Sequence, residues 1–174
     1  HVPEMIDAGI DSFKIEGRMK TALYVATVAR TYRKAIDDYM KDPKLYEANM
    51  EWYKEEIGKC TYREFTTGFY FGKPGSDAQI YNSNTYVKNY TYLGTVEEAD
   101  GKGRCRIEQK NKFSVGETIE IMKPDGRNLE VVVKSICDED GNGQESAPHP
   151  KQILWVDLGA DVDKYDILRK KEDN

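Results

Sequence analysis

The chain has 174 residues, 39% of them hydrophobic and 33% charged, with 26 Lys and Arg against 31 Asp and Glu for a formal charge of −5. This suits one ordinary globular domain or a small domain with an appendage, and excludes a large multidomain enzyme. The acidic balance excludes a global positive field that would hold a polyanion nonspecifically, so any nucleic-acid contact must be local.

No apolar run approaches the ~20 residues that span a bilayer, so no membrane partner is expected. HVPEMIDAGIDS lacks the charged head and apolar stretch of a secretory leader, and cytoplasmic residence is the expectation. The chain opens at His1 without an initiator methionine, on residues that read like the interior of a folded unit, so it is expected to be a piece of a longer protein.

In chain order, the first patterned segment is Ser12-Phe13-Lys14-Ile15-Glu16-Gly17-Arg18. Its alternation predicts a strand with Lys14, Glu16 and Arg18 on one face and Phe13 and Ile15 on the other. Leading into a helix, it reads as a βα unit, whose junction in parallel barrels carries catalytic groups. Glu16, between two cations, is expected to stay ionised, while Lys14 and Arg18 suit a carboxylate or phosphate. The competing reading is a self-satisfying ion network.

Val25, Val28, Ala29, Tyr32, Ile36 and Tyr39 recur at helical spacing, predicting an amphipathic helix over 21–40. Asp42-Pro43 stops it and caps a second helix over 44–57, with Gly58 as a left-handed terminator. After Cys60 the period changes. Short β-rich runs at 90–96, 104–109, 117–122, 129–136, 153–157 and near Ile167 predict six strands, linked by turn signals at Asp100-Gly101, Pro124-Asp125-Gly126 and Asp140-Gly141-Asn142-Gly143.

The expected fold is therefore mainly β with an N-terminal helical segment: a small six-stranded antiparallel barrel, like the second domain of translation factors, preceded by a βα remnant and two helices. Residues 1–60 form the helical part, 61–89 a linker with a long loop, and 90–174 the barrel. In the linker, the aromatics of Thr66-Thr67-Gly68-Phe69-Tyr70-Phe71 are expected to anchor it by packing.

One barrel strand carries the best nucleic-acid signal. Lys102, Arg104, Arg106, Lys110 and Lys112 fall at even positions, so an extended chain displays a basic stripe, and Tyr81, Tyr86, Tyr90 and Tyr92 offer stacking surfaces. The bland alternative is an ordinary solvated strand face. Cys60, Cys105 and Cys137 are too scattered for a disulfide framework or zinc site, and His149, between two prolines, lacks a catalytic partner in the sequence.

The run GIDSFKIEGRMKTALYVATVARTYRKAIDDYM, with KIEGRMK as its most specific part, resembles the signature of the U32 family of collagenase-like peptidases and their RNA-hydroxylating relatives. REFTTGFYFGKPG, NKFSVGETIEIMKPDG and APHPKQ resemble that family's carboxyl-terminal domain, so the likeness covers nearly the whole chain. It implies an upstream catalytic domain of (β/α)-barrel type in the same polypeptide. In some members four cysteines of that domain hold an iron–sulfur cluster. The three cysteines here do not match those segments, and no cofactor is expected in this fragment.

The resemblance implies a carboxyl-terminal fragment of a U32 peptidase, a protein-degrading hydrolase, with the barrel recognising substrate. Lys14, Glu16 and Arg18 would serve catalysis only in the parent enzyme. One alternative is an RNA-binding accessory domain of a tRNA or rRNA hydroxylation enzyme, with Lys102, Arg104, Arg106, Lys110, Lys112, Tyr90 and Tyr92 on structured RNA. Another is a purely structural or self-association domain.

Overall fold

The computed structural model describes residues 1–62, 65–75 and 88–172. The helical part has four helices, α1 (Val2–Asp7), α2 (Ala22–Lys41), α3 (Pro43–Ala48) and α4 (Met50–Ile57). α2 starts where Thr21 Oγ1 accepts a hydrogen bond from the Tyr24 N–H, and α3 where Asp42 accepts from Lys44 N–H. The single helix expected over 44–57 is interrupted at Asn49, whose Nδ2 donates to Asp38 Oδ2 on α2 at 2.9 Å. A short amide that bonds a neighbouring helix competes with continuation of its own. Gly58 closes α4 with φ −75°, so the left-handed terminator expected there is not used.

Residues 12–18 do not form the expected strand. A strand exists by pairing its backbone groups with a neighbouring strand, and no described strand pairs with this segment, whose Gly17 carbonyl instead accepts from Lys20 N–H in a turn. Lys14, Glu16 and Arg18 are all exposed, as is Ile15 on the supposedly buried side.

The β part is one curled antiparallel sheet of eight strands: β1 (Tyr90–Ala99), β2 (Arg104–Glu108), β3 (Thr118–Met122), β4 (Asn128–Val132), β5 (Ser135–Cys137), β6 (Gly143–Gln144), β7 (Ile153–Asp157) and β8 (Ile167–Lys171). Their order is β4-β3-β8-β1-β2-β7-β5-β6. All six expected runs are strands. The count rises because the fourth run divides at Val133-Lys134 and because the short β6 pairs with β5.

That division shapes the sheet. β4 pairs with β3 and β5 with β7, and between them Val133 N–H donates to the Glu117 carbonyl while Lys134 N–H donates to the Asp157 carbonyl. One bent run thus joins the two ends of the curl. β1 bends likewise, its register shifting between Tyr92 and Gly94 and again between Val96 and Glu98, so it pairs with β8 first and β2 second. The interior is filled by Leu93, Val96, Cys105, Ile107, Phe113, Ile119, Ile121, Ile136, Leu154, Val156 and Leu168.

The helices sit against the sheet. Leu23, Val28 and Cys60 pack with Met122 and Ile167, while Val2, Ala35, Tyr46 and Tyr53 form a second apolar cluster among the helices.

Candidate nucleic-acid interface

β2 alternates as its sequence requires. Cys105 and Ile107 are fully buried, so Arg104, Arg106 and Glu108 turn outward. β7 is in register beside it, with Arg104 opposite Asp157 and Arg106 opposite Trp155. The Arg104 guanidinium lies 5.7 Å from the centre of the Trp155 ring, a cation–π contact on an open face. Trp155 was missed as a site residue. Its signal was present, because Leu154 and Val156 on either side belong to the core and alternation forces Trp155 out.

The rest of the stripe is partly neutralised. Arg106 forks between Glu97 and Glu139, the second at 3.2 Å, and Lys110 pairs with Glu108. Lys102 sits in the β1–β2 hairpin, where Asp100 Oδ1 accepts from its backbone N–H at 2.7 Å. Lys102 and Lys112 are exposed and make no ion pair with any described residue. The face therefore offers a stacked arginine–indole platform fringed by carboxylates, while Lys102 and Lys112 lie beyond the two ends of β2.

The tyrosines are elsewhere. Tyr90 begins β1, at the end away from the hairpin, with Lys59 Nζ 5.6 Å and the Arg169 guanidinium 5.2 Å from its ring centre. Tyr92 is half-buried against the helices and its hydroxyl is 2.8 Å from Thr95 Oγ1. Tyr90 does not join the β2 face, Tyr92 adjoins the end of the stripe, where Asn111 Nδ2 donates to its carbonyl at 2.7 Å, and Tyr81 and Tyr86 lie outside the described residues.

Among the described residues, Lys14, Glu16 and Arg18 form no ion network, and Glu16 Oε1 accepts from the Arg18 backbone N–H at 2.9 Å. Of the 66–71 aromatics expected to anchor the linker, Phe69, Tyr70 and Phe71 are all exposed, and Phe71 meets the helical part through the His1 ring, 4.7 Å from its own at the start of α1. His149 is exposed, its carbonyl accepting from Gln152 N–H.

Sequence reasoning missed a buried ion cluster where helices meet sheet. Glu56, 1% exposed, accepts from Arg30 and, at 2.6 Å, from Arg169, itself fully buried. Asn128 Nδ2 donates to the other Glu56 oxygen at 2.7 Å, and Arg169 Nε reaches Glu120 at 2.5 Å. Lys59 stands 3.4 Å from both Glu56 and Glu120. Burial pushes the Glu56 carboxyl up, but Arg169 and Arg30 outweigh it and hold the pKa below the ordinary value. Each partner comes from a different element, which is why no local pattern announced them.

No described group of three or more His, Cys, Asp or Glu is placed to hold a metal. Burial pushes the thiols of Cys60 and Cys105 up to about 11 and about 12. Among the described residues, no helix is long and apolar enough to cross a membrane.

Two family models match the sequence of the chain. Peptidase family U32 matches residues 1–80 and the peptidase family U32 C-terminal domain matches residues 88–169. The chain belongs to peptidase family U32. It is 38% identical to the tRNA hydroxylation protein P1 of Bacillus subtilis over 170 residues, 97% of this chain and 40% of that protein. It is 39% identical to a collagenase of Porphyromonas gingivalis over 116 residues, 61% of this chain and 28% of that protein. The crystal structure of the C-terminal domain of a Geobacillus thermoleovorans U32 peptidase shares 31% identity at a TM-score of 0.43, covering 47% of this chain and 92% of that one. The chain thus spans about two fifths or less of the length of these two curated relatives.

Proposed function

We propose that this chain is the carboxyl-terminal portion of a tRNA-hydroxylation protein, and that its curled sheet holds RNA for chemistry centred in the rest of the polypeptide. The observation that carries this reading is the 38% identity to a tRNA hydroxylation protein across 97% of the chain, through helices and sheet alike. The β2–β7 face supports it. Arg104 over Trp155 presents a planar cation and a ring surface, the pair of groups that takes a phosphate and an unstacked base.

The carboxylates around Arg106 keep this attraction local, so the face positions an RNA that other contacts also hold. Lys14, Glu16 and Arg18, exposed just before α2, are the residues this portion would present to the reaction centre.

The test is mass spectrometry of nucleosides from bulk tRNA in cells whose own copy of the protein is deleted and replaced. Arg104→Ala combined with Trp155→Ala should lower hydroxylated nucleosides at least fivefold with unchanged protein level, and Glu16→Gln should abolish them. Full hydroxylation with the first variant removes the face from the function, and full hydroxylation with the second places Glu16 among structural residues. Peptide hydrolysis is the second reading, favoured by the 39% identity to a collagenase over 61% of the chain. Gelatin cleavage by the full-length protein, with tRNA nucleosides unaffected by its loss, would replace the first reading with this one.

A further inference from the structure

A second cationic, aromatic site lies away from the β2 face, in the cleft where the end of α4 meets the start of β1 and the end of β8. Lys54, Lys59, Tyr62, Tyr90 and Lys171 line it, with Glu55 and Glu172 as its two acids. Two of its three ammonium groups, those of Lys54 and Lys171, face the open side of the cleft, while Glu56 and Glu120 stand behind the third, Lys59.

The acids are already engaged. Glu172 accepts from the Thr91 hydroxyl and has Lys88 at 3.7 Å, and Glu55 faces Lys59 at 3.4 Å. Two of the cations are available. Lys171 is exposed and has no ion pair among the described residues, and Lys54 meets only Glu51 at 3.3 Å, both side chains mostly in water, where such a pair is worth little. Lys59 differs: Glu55, Glu56 and Glu120 each stand 3.4 Å from its ammonium group, so its charge is met within the chain and the open cations of the cleft are Lys54 and Lys171.

The rim supplies a stacking surface. Tyr62 and Phe65 lie face to face, ring centres 4.7 Å apart and planes within 2° of parallel, and Phe65 is 60% exposed. A ring already stacked on a neighbour and still 60% exposed is a prepared platform for a flat ligand, because little conformational freedom remains to be lost.

We propose that this cleft binds a single-stranded segment of RNA, a backbone phosphate between the Lys54 and Lys171 ammonium groups and an unpaired base on Phe65. Open cations beside an open aromatic face match the two chemistries of an unpaired nucleotide, whereas an acidic peptide uses only the first. The proposal deepens the tRNA reading and rests on it for the natural ligand. It implies two separated contacts, the β2–β7 face and this cleft, on one RNA.

The test is fluorescence anisotropy with this chain and a mixed-sequence RNA octamer across a salt series, together with an octamer carrying 2-aminopurine, whose emission is quenched on stacking. Lys54→Gln with Lys171→Gln should weaken binding about tenfold at low salt and flatten the salt slope by about 0.7, the value for one phosphate contact on a single strand. Phe65→Leu should weaken binding about fivefold or more and remove the quenching. All three positions are exposed, and unchanged circular dichroism and melting confirm that the variants fold.

Wild-type affinity and slope in the double variant overturn the proposal, as does displacement of the octamer by polyglutamate as effectively as by unlabelled RNA. The two readings fail separately. Hydroxylated nucleosides unaffected by loss of the protein sink the tRNA function, and unchanged octamer binding by the cleft variants sinks the cleft.

Discussion

Cys60 and Cys105 show how burial sets chemistry one residue at a time. Both are fully buried, and taking a thiolate out of water raises their thiols from 9.0 to about 11 and about 12. An unfolded chain then releases these protons at lower pH than the folded one. The unfolded state binds fewer protons above pH ~9, so stability is complete below that value and falls as pH rises towards the folded pKa values. Urea midpoints should decline from pH 9 upward, and the Cys60→Ala, Cys105→Ala double variant should decline less steeply. In the native protein at pH 8, a thiol reagent should label half-buried Cys137 and spare the other two until urea is added. Labelling of all three at equal rates would contradict this burial.

Among the elements, the β1–β2 hairpin separates what a turn needs locally from what packing adds. Gly101 and Gly103 both have positive φ, +71° and +100°, which L side chains rarely adopt. A Cβ at Gly101 would meet nothing, whereas one at Gly103 would lie 2.8 Å from Gly159 Cα in the loop after β7. Gly101→Ala should therefore cost about 1 kcal/mol from backbone strain, and Gly103→Ala that strain plus displacement of a neighbouring backbone, about 2–3 kcal/mol or more. Equilibrium denaturation of the two variants checks the order, and equal costs would mean that the loop after β7 yields freely. The Asp100-Gly101 turn was legible from the sequence, but Gly103's partner, 56 positions later, was not.

For the whole molecule, the decisive contact is the buried cluster on Glu56. It ties α2 through Arg30 and α4 through Glu56 to β8 through Arg169 and β3 through Glu120. Removing one member leaves buried charges without a partner, a loss of about 3–5 kcal/mol. Trp52 on α4 and Trp155 on β7 are the two tryptophans of the chain, so Trp52→Phe and Trp155→Phe give separate probes of helices and sheet. In an otherwise native chain the two denaturation curves should coincide. With Glu56→Ala added, the total should fall by that amount and the helical transition should move to lower urea. Coincident, undisplaced curves would show that the apolar contacts of Leu23, Val28, Met122 and Ile167 carry the junction alone.

The sequence by itself determined the local periods: the long helix after Thr21, all six β runs, the turns between them, and the outward row of Arg104 and Arg106. Each follows from neighbours two to four positions apart, where steric and apolar patterning acts. It also carried the family, through the KIEGRMK run. Tertiary structure decided the rest. It withheld the strand at 12–18, because an extended segment without a partner leaves its backbone groups to water. It split Tyr90 from the basic stripe, put Trp155 under Arg104, and gathered Glu56, Arg30, Arg169, Glu120 and Lys59 from positions up to 139 apart. Those placements depend on which surfaces meet when apolar area is buried, and a buried charge finds its counterion only after the chain has closed around it.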